Sequence, residues 1–462
     1  MTQKSIFHAP KVLRKTESLC PHCLERIPAW YEEREDEVVY LCKECEIHGL
    51  FCTRFWEGSP AFSSWVRPKK PSHPRESPFP VHYGCPFDCG LCPRHSQHTC
   101  TALLEVTMRC SLRCPVCYAD AGRADIPPDP PLEELANCLD AIIRQSGKCN
   151  LQISGGEPTE RVDLPEIIAL AKCRGFPFIQ LNSNGLRFAE APGYARTLAE
   201  KGLDSVYLQF DGLTPETYTA IRGRPLLDEK LKAIKACSKA GLGVVLVATV
   251  VPGVNHKELG ELLRFAVGYG PGIRGLHLQP VASFGRFSWK TPENHPRLSL
   301  PELMLLLSSQ SALISLEDFH PPGCEHALCS FSALYRRLPD SRLERIGSSC
   351  CSPDSPPPTA AEGAQKSKDF TSLHWKLPSS PAVKTGEDAD AFTRFIAASG
   401  IEQRFTLSAM AFQDCMTLDL ERIQGCCIHI ATPSGRLVPF CAYNITGLDG
   451  TALHRGREKS KS

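Results

Sequence analysis

The sequence lacks a long apolar run. None approaches the roughly 18–20 residues that span a bilayer, so a lipid-directed function would need peripheral contact with the membrane. Residues Met1 to Ser18 are polar and lack the apolar stretch of a secretory leader, so a cytoplasmic location is expected. Charge of either sign is not in excess: 52 Lys and Arg against 51 Asp and Glu leave +1, which offers no bulk attraction to nucleic acid or an anionic membrane. Cysteine, in contrast, is abundant, with 24 residues. Without a leader, most of these thiols read as metal ligands in a reducing compartment rather than as disulfides. The 462 residues allow two or three domains.

Four regions follow from composition. Residues 1–66 carry paired cysteines around a hairpin-like middle, as in a rubredoxin or zinc ribbon. Residues 67–100 end in a second cysteine cluster, and residues 101–290 alternate strands and helices. Residues 291–462 hold further cysteines, broken by a Pro/Ser/Ala stretch at 352–368 that reads as a disordered linker. In the third region six runs read as strands: Ala102–Val106, Asn150–Ser154, Phe178–Asn182, Ser205–Phe210, Val244–Val251 and Leu276–Val281. Several are continuously apolar and β-branched, as buried parallel strands are. Between them Leu132, Leu135, Leu139, Ile142 and Ile143 form one helical stripe, and Leu227, Leu231 and Ile234 another. Six β-α units predict an α/β fold, a partial (β/α)6 barrel, with its site at the C-terminal strand ends.

Directly after the first strand comes Cys110-Ser111-Leu112-Arg113-Cys114-Pro115-Val116-Cys117-Tyr118. Three thiolates this close can hold three corners of a [4Fe–4S] cube. No fourth cysteine follows in the loop, so one iron would stay open to an outside ligand. This C-x3-C-x2-C run with a following aromatic, Tyr118, resembles the signature loop of the radical SAM enzymes. The resemblance implies that the amino acid end of S-adenosylmethionine (SAM) chelates the open iron. Gly155-Gly156-Glu157-Pro158 follows the second strand and resembles the motif that contacts the SAM amino group; a plain strand-to-helix turn is the competing reading.

Polar residues at the other strand ends are candidates for the SAM nucleoside. Asn182 and Asn184 end the third strand, and Gln209 and Asp211 the fourth, where they could hold ribose hydroxyls; such residues also occur at turns for local reasons. Arg222 could reach the SAM carboxylate or simply lie in solvent. Val251 is a candidate lining of the adenine pocket, and Gln279 faces substrate or cofactor.

Other cysteines suit further metals. Cys85, Cys89, Cys92 and Cys100 have the spacing of a fully ligated auxiliary [4Fe–4S] cluster, with structural zinc as the alternative. Cys20, Cys23, Cys42 and Cys45 form two knuckles for one mononuclear iron or zinc, with His48 and Cys52 as competitors for a position. The acidic Glu32, Glu33, Glu35, Asp36 and Glu37 disfavour a nucleic-acid-binding ribbon there. Cys427 and Cys441 are symmetric about the turn Pro433-Ser434-Gly435, and with Cys324 and Cys329 they could complete another cluster, Cys426 being a close rival of Cys427. Cys138, Cys173 and Cys237 read as core thiols on helices, while Cys149, Cys350, Cys351 and Cys415 receive no role.

The segment Cys85-Pro-Phe-Asp-Cys89-Gly-Leu-Cys92 through Cys100 and on to Cys110 resembles the tetraether lipid synthase family of radical SAM enzymes, as do Cys20-Pro-His-Cys23, His48-Gly49 and Arg436-Leu-Val-Pro-Phe-Cys441-Ala-Tyr-Asn. The resemblance covers residues 20–445. It implies the SAM-binding cluster, one or two auxiliary [4Fe–4S] clusters, a rubredoxin-like mononuclear site and a low-potential donor such as ferredoxin or flavodoxin. It further implies reductive cleavage of SAM to a 5′-deoxyadenosyl radical that takes hydrogen from a substrate C–H bond. C–C coupling or alkylation of a lipid-like substrate is the favoured expectation, and a methyltransferase acting on a pterin-type ring is the first rival. A peptide-modifying enzyme and a non-catalytic Fe–S or zinc module are the others.

Overall fold

The computed structural model describes residues 10–35, 37–289, 291, 295–347, 356–378 and 403–456; Asp36, Cys350, Cys351 and the start of the expected linker, 352–355, lie outside them. Two sheets organise the chain. The first is a four-stranded antiparallel meander of β1 (Lys11–Leu19), β2 (Arg26–Glu33), β3 (Val39–Cys45) and β4 (Gly49–Trp56). Tyr31, Leu41 and Trp56 bury one of its faces in the main core. The meander is also tied to the C-terminal region by buried polar contacts. Asp419 accepts hydrogen bonds from Thr16 Oγ1 at 2.7 Å and Tyr31 Oη at 2.8 Å and pairs with Arg14.

Among the described residues the second sheet has eleven strands. Its centre is β5 (Thr101–Thr107), β6 (Asn150–Gly155), β7 (Ile179–Ser183), β8 (Ser205–Gln209), β9 (Gly243–Val250) and β10 (Ile273–Pro280), adjacent in sequence order and parallel. These are the six strands expected from the apolar runs. Helices fill the crossovers, among them α1 (Leu132–Ser146), α2 (Leu164–Cys173), α3 (Leu186–Glu190), α4 (Gly193–Glu200), α5 (Pro215–Arg222), α6 (Leu227–Lys239) and α7 (Leu259–Gly268). The α1 stripe packs inward through Leu135, Leu139 and Ile142, while Leu132, its first residue, stays exposed.

Among the described residues the C-terminal region forms no separate sheet. After α8 (Leu300–Gln310) it contributes β11 (Ser330–Arg337), β12 (Leu343–Arg345), β13 (Arg404–Met410), β14 (Ile428–Ala431) and β15 (Leu437–Pro439). The order is β12-β11-β13-β10-β9-β8-β7-β6-β5-β14-β15, with β13 parallel to β10 and β14 parallel to β5. The physical reason is edge satisfaction: β5 and β10 would otherwise leave rows of backbone donors and acceptors unpaired.

The expected linker also differs. Residues 360–368 belong to α9 (Ala360–Trp375), started by a capping box of Thr359 and Glu362. This helix closes the N-terminal ends of the parallel strands. Asn150 Nδ2 donates to Lys368 O at 3.4 Å and Arg274 Nε to His374 O at 2.9 Å. Position 243 must be glycine there, because a Cβ would lie 2.1 Å from Trp375 O. No helix among the described residues is long and apolar enough to cross a membrane.

Candidate active site

Side chains alternate along each strand, and those opposite the helix layer line one cavity of about 510 Å³. It runs from the loop after β5, where Cys110, Cys114 and Cys117 line it, to the α9 end, where Phe370 and Trp375 do. The three loop thiols share a small apolar cluster with Leu112, Leu186, Tyr218 and Leu226. Burial pushes the Cys110 thiol up to about 12 and raises Cys114 as well. The loop is held by backbone contacts. Cys117 N donates to Arg286 O at 2.9 Å, and Arg286 Nε donates to Cys114 O at 2.8 Å.

Gly155 and Gly156 dock against the base of this loop. Gly156 N donates to Thr107 O at 2.7 Å and Glu157 N to Arg109 O at 2.8 Å. A Cβ at Gly155 would lie 2.2 Å from Thr107 O, and one at Gly156 2.3 Å from Arg109 O. Pro158 opens a short 3-10 turn and does not line the cavity. Glu157 is buried, and burial raises its carboxyl above the ordinary range against the hydrogen bonds it accepts. Its Oε1 accepts from Thr159 Oγ1 at 2.6 Å and Ser183 Oγ at 2.8 Å, whereas Oε2 accepts from Asn184 N at 2.6 Å. Oε2 therefore keeps room for a further donor.

Asn182, Asn184, Gln209 and Gln279 line the cavity as expected from their strand ends, and Tyr118 lines it from the cysteine loop. Tyr118 Oη meets Ser154 Oγ at 2.8 Å, and Asn182 Nδ2 donates to the same oxygen at 3.2 Å. Asp211 and Val251 depart from expectation, since neither lines the cavity. Asp211 is taken up by a bidentate pair with Arg222, with Nε–Oδ2 and Nη2–Oδ1 both at 2.7 Å, and by Thr249 N at 3.0 Å. Arg222 is thereby buried with a fixed direction beside Cys114, not solvated. Val251 packs with Ile221, Val281, Phe287 and Trp289.

Sequence reasoning passed over Lys230. It is fully buried on α6, and its Nζ donates to Asn184 O and to Gln209 Oε1, the latter at 3.0 Å. Burial brings its ammonium down to about 8. The signal was present: Lys230 lies three residues after Leu227 and four before Ile234, on the apolar stripe.

The metal-type clusters regroup. Cys20, Cys23, Cys45 and His48 bring their ligand atoms within 4.8 Å of one another, and Cys42 is not among them. Cys42 is three residues from Cys45 on β3 and so points to the other face, where it pairs with Cys52 as a disulfide. Cys89 sits against Cys85 and Cys92, but Cys100 leaves that group. Cys100 pairs with Cys324 as a disulfide, with Cys427 alongside, all within 4.8 Å. The cause is β14, whose pairing of Ile428 with Thr101 carries Cys427 to Cys100. Adjacent residues in extended chain point opposite ways, so Cys426 rather than Cys427 turns toward Cys441; the thiols of Cys426 and Cys329 add to the upward push of burial on Cys441, and that of Cys329 to the push on Cys426. The expected set of Cys324, Cys329, Cys427 and Cys441 is thus divided between two groups.

Known protein families and proteins resemble this chain in sequence. Residues 104–266 match the radical SAM superfamily, and residues 12–57 match the HMPTM N-terminal zinc ribbon domain. The chain is 32% identical to the 7,8-dihydro-6-hydroxymethylpterin dimethyltransferase of Methanocaldococcus jannaschii, covering 97% of this chain and 95% of that protein. It is 31% identical to a probable GTP 3′,8-cyclase of Methanothermobacter thermautotrophicus over 41% of this chain and 61% of that one. Among solved structures, Streptococcus suis SuiB bound to precursor peptide SuiA is similar over 46% of both chains, at 15% identity and a TM-score of 0.39. The chain is an enzyme of the radical SAM superfamily, whose chemistry uses a [4Fe–4S] cluster, SAM and a reductant, and it belongs to the family that includes the M. jannaschii dimethyltransferase.

Proposed function

We propose that this protein is a radical SAM methyltransferase acting on a reduced pterin ring. The observation that carries the reading is similarity along nearly the whole chain, ribbon included, to a dihydropterin dimethyltransferase. Methylation of a ring carbon puts a C–C bond in place of a C–H bond: the hydrogen leaves as 5′-deoxyadenosine, and a second SAM gives the methyl group, leaving as S-adenosylhomocysteine with one further electron from the reductant, so the expected alkylation chemistry stands. The inner wall carries amide side chains, Gln152, Gln180 and Gln209, that a pterin's polar edge can use and an unfunctionalised lipid tail cannot.

The donor set suits the cofactors. Cys110, Cys114 and Cys117 are three thiols lining one cavity with no carboxylate between them in sequence, as a cluster with one open iron requires. When bound and reduced, that cluster supplies the electron that splits SAM into methionine and a 5′-deoxyadenosyl radical. The protein's part is positional. Glu157 Oε2 accepts from the SAM amino group, and Arg222, aimed by Asp211, faces its carboxylate. Asn182, Gln209 and Gln279 hold the nucleoside, and Lys230 fixes Gln209 and the Asn184 turn from behind. α9 and the packed strands exclude water from the radical.

The remaining cysteines divide into groups suited to auxiliary clusters: Cys85/Cys89/Cys92, Cys329/Cys426/Cys441 and, once the Cys100–Cys324 bond is reduced to two thiols, Cys100/Cys324/Cys427. Cys20, Cys23, Cys45 and His48 suit one zinc or iron. Ferredoxin or flavodoxin is the class of electron donor, and the protein works in the cytoplasm. The test is to extract pterins from cells expressing the chain and from cells expressing Cys114→Ala. Pterin heavier by one or two methyl groups, only with the intact chain, supports the reading. Identical pterins in both refute it.

A further inference from the structure

Below the strand-end residues given to SAM, the cavity has a deeper layer with no role so far. On β6 and β7 it contains Gln152 and Gln180, and the direction of each amide follows from one group that can only accept. Ser205 Oγ donates to the carbonyl of Gly243 at 2.9 Å, which uses its single proton. Ser205 must then accept from Gln180, so Gln180 Nε2 points to it at 3.2 Å. That leaves Gln180 Oε1 to accept from Gln152 Nε2 at 2.7 Å. The carbonyl oxygen of Gln152 is what remains for the cavity.

The same wall repeats this polarity. Asn150 Nδ2 is bound to Lys368 O while its Oδ1 is buried without a hydrogen-bond partner, and Asn182 Oδ1, one layer up, is likewise buried and unpartnered. Buried carbonyls left open imply a ligand that brings N–H donors. Aromatic rings line the same cavity. Tyr207 lies 5.5 Å from the His277 ring and 5.7 Å from that of Trp375, the last at an interplanar angle of 30°. Burial holds His277 neutral, bringing it down to about 3. The layer thus suits a flat, uncharged ring.

We propose that Gln152 reads the N–H edge of the substrate, the aminopyrimidine half of an amino-oxo fused heterocycle, through a carbonyl oxygen aimed by the Gln180–Ser205–Gly243 relay. This rests on the pterin reading and names the groups that would recognise the ring. Gln152 is a specificity residue, and Ser205 a positioning residue that acts through two amides.

The test uses the reconstituted holoenzyme with SAM and two probes: 7,8-dihydro-6-hydroxymethylpterin and the analogue lacking its 2-amino group. Binding is measured at equilibrium, and KM and kcat for substrate-triggered 5′-deoxyadenosine formation are measured separately. The wild type is expected to prefer the amino compound by about tenfold, the worth of one buried hydrogen bond. Gln152→Leu should abolish the preference by raising KM for the amino compound with kcat little changed. Ser205→Ala should shrink it while leaving affinity for the analogue intact, and it decides the matter should Gln152→Leu fail to fold. A wild-type preference that survives in the variants overturns the Gln152 assignment and leaves the pterin reading standing. A wild type that binds neither probe refutes the pterin reading and this inference with it.

Discussion

Glu157 accepts the backbone N–H of Asn184 at 2.6 Å, which makes the turn after β6 and the turn after β7 one unit. Glu157→Gln keeps the side chain's shape but sets an amide against donors that need acceptors. The variant should keep its cluster iron, raise the KM for SAM and lose at least roughly tenfold in 5′-deoxyadenosine formation, since a charge-assisted bond is worth about 1.5–3 kcal/mol. Iron content and initial rates measured together check this. Unchanged kinetics would remove Glu157 from the SAM site.

Gly156 tests how the cysteine loop is seated. In Gly156→Ala the new methyl lies 2.3 Å from Arg109 O, so the segment leading to Cys110 must move. Loss of most cluster absorbance and of SAM cleavage is expected. Gly193→Ala, whose methyl meets nothing within 4 Å, should retain both.

The ribbon predicts a metal count. Cys45→Ser and His48→Ala should each lower mononuclear zinc or iron by close to one per chain, because their atoms share a cluster with Cys20 and Cys23. Cys42→Ser should not, since Cys42 faces Cys52 on the other side of the sheet. Elemental analysis of the variants decides between His48 and Cys42.

Stability should fall in acid through Asp414. Burial by itself would raise this carboxyl, but Arg297 and His295 outweigh it and hold it well below the ordinary value. Lys43, also fully buried, and Cys415 face the same carboxylate. A carboxyl depressed in the folded state stabilises the fold above its unfolded pKa, about 3.9. That contribution is lost as pH falls from there through the folded value. Asp414→Asn should lower stability at neutral pH by about 3 kcal/mol and flatten the acid limb of a denaturation series. An unaltered acid limb would count against Asp414 as the source.

The six central strands were legible because each is a short apolar run, and Cys110, Cys114, Cys117 and the glycine pair because their spacing is local. The contributions of β13 and β14 were not. Pairing across some 130 residues, as between Leu276 and Leu407, leaves no local pattern. Part of the metal grouping was hidden for the same reason: Cys100 stands near Cys92 in sequence, but strand pairing carries it to Cys427, with Cys324 alongside. α9 was hidden by its Pro- and Ser-rich approach, although Thr359 and Glu362 spell a capping box. Asp211 was readable as a polar strand end, but its capture by Arg222 needed the structure.

The most direct measurement of the central claim follows hydrogen rather than product. Holoenzyme, SAM and reductant are mixed anaerobically with 7,8-dihydro-6-hydroxymethylpterin deuterated at its ring CH2, and 5′-deoxyadenosine is analysed by mass spectrometry. Deuterium in 5′-deoxyadenosine from wild type, with none formed by Cys114→Ala, is the predicted result. Abundant 5′-deoxyadenosine without deuterium would contradict the account, because the ring would then not be the hydrogen donor.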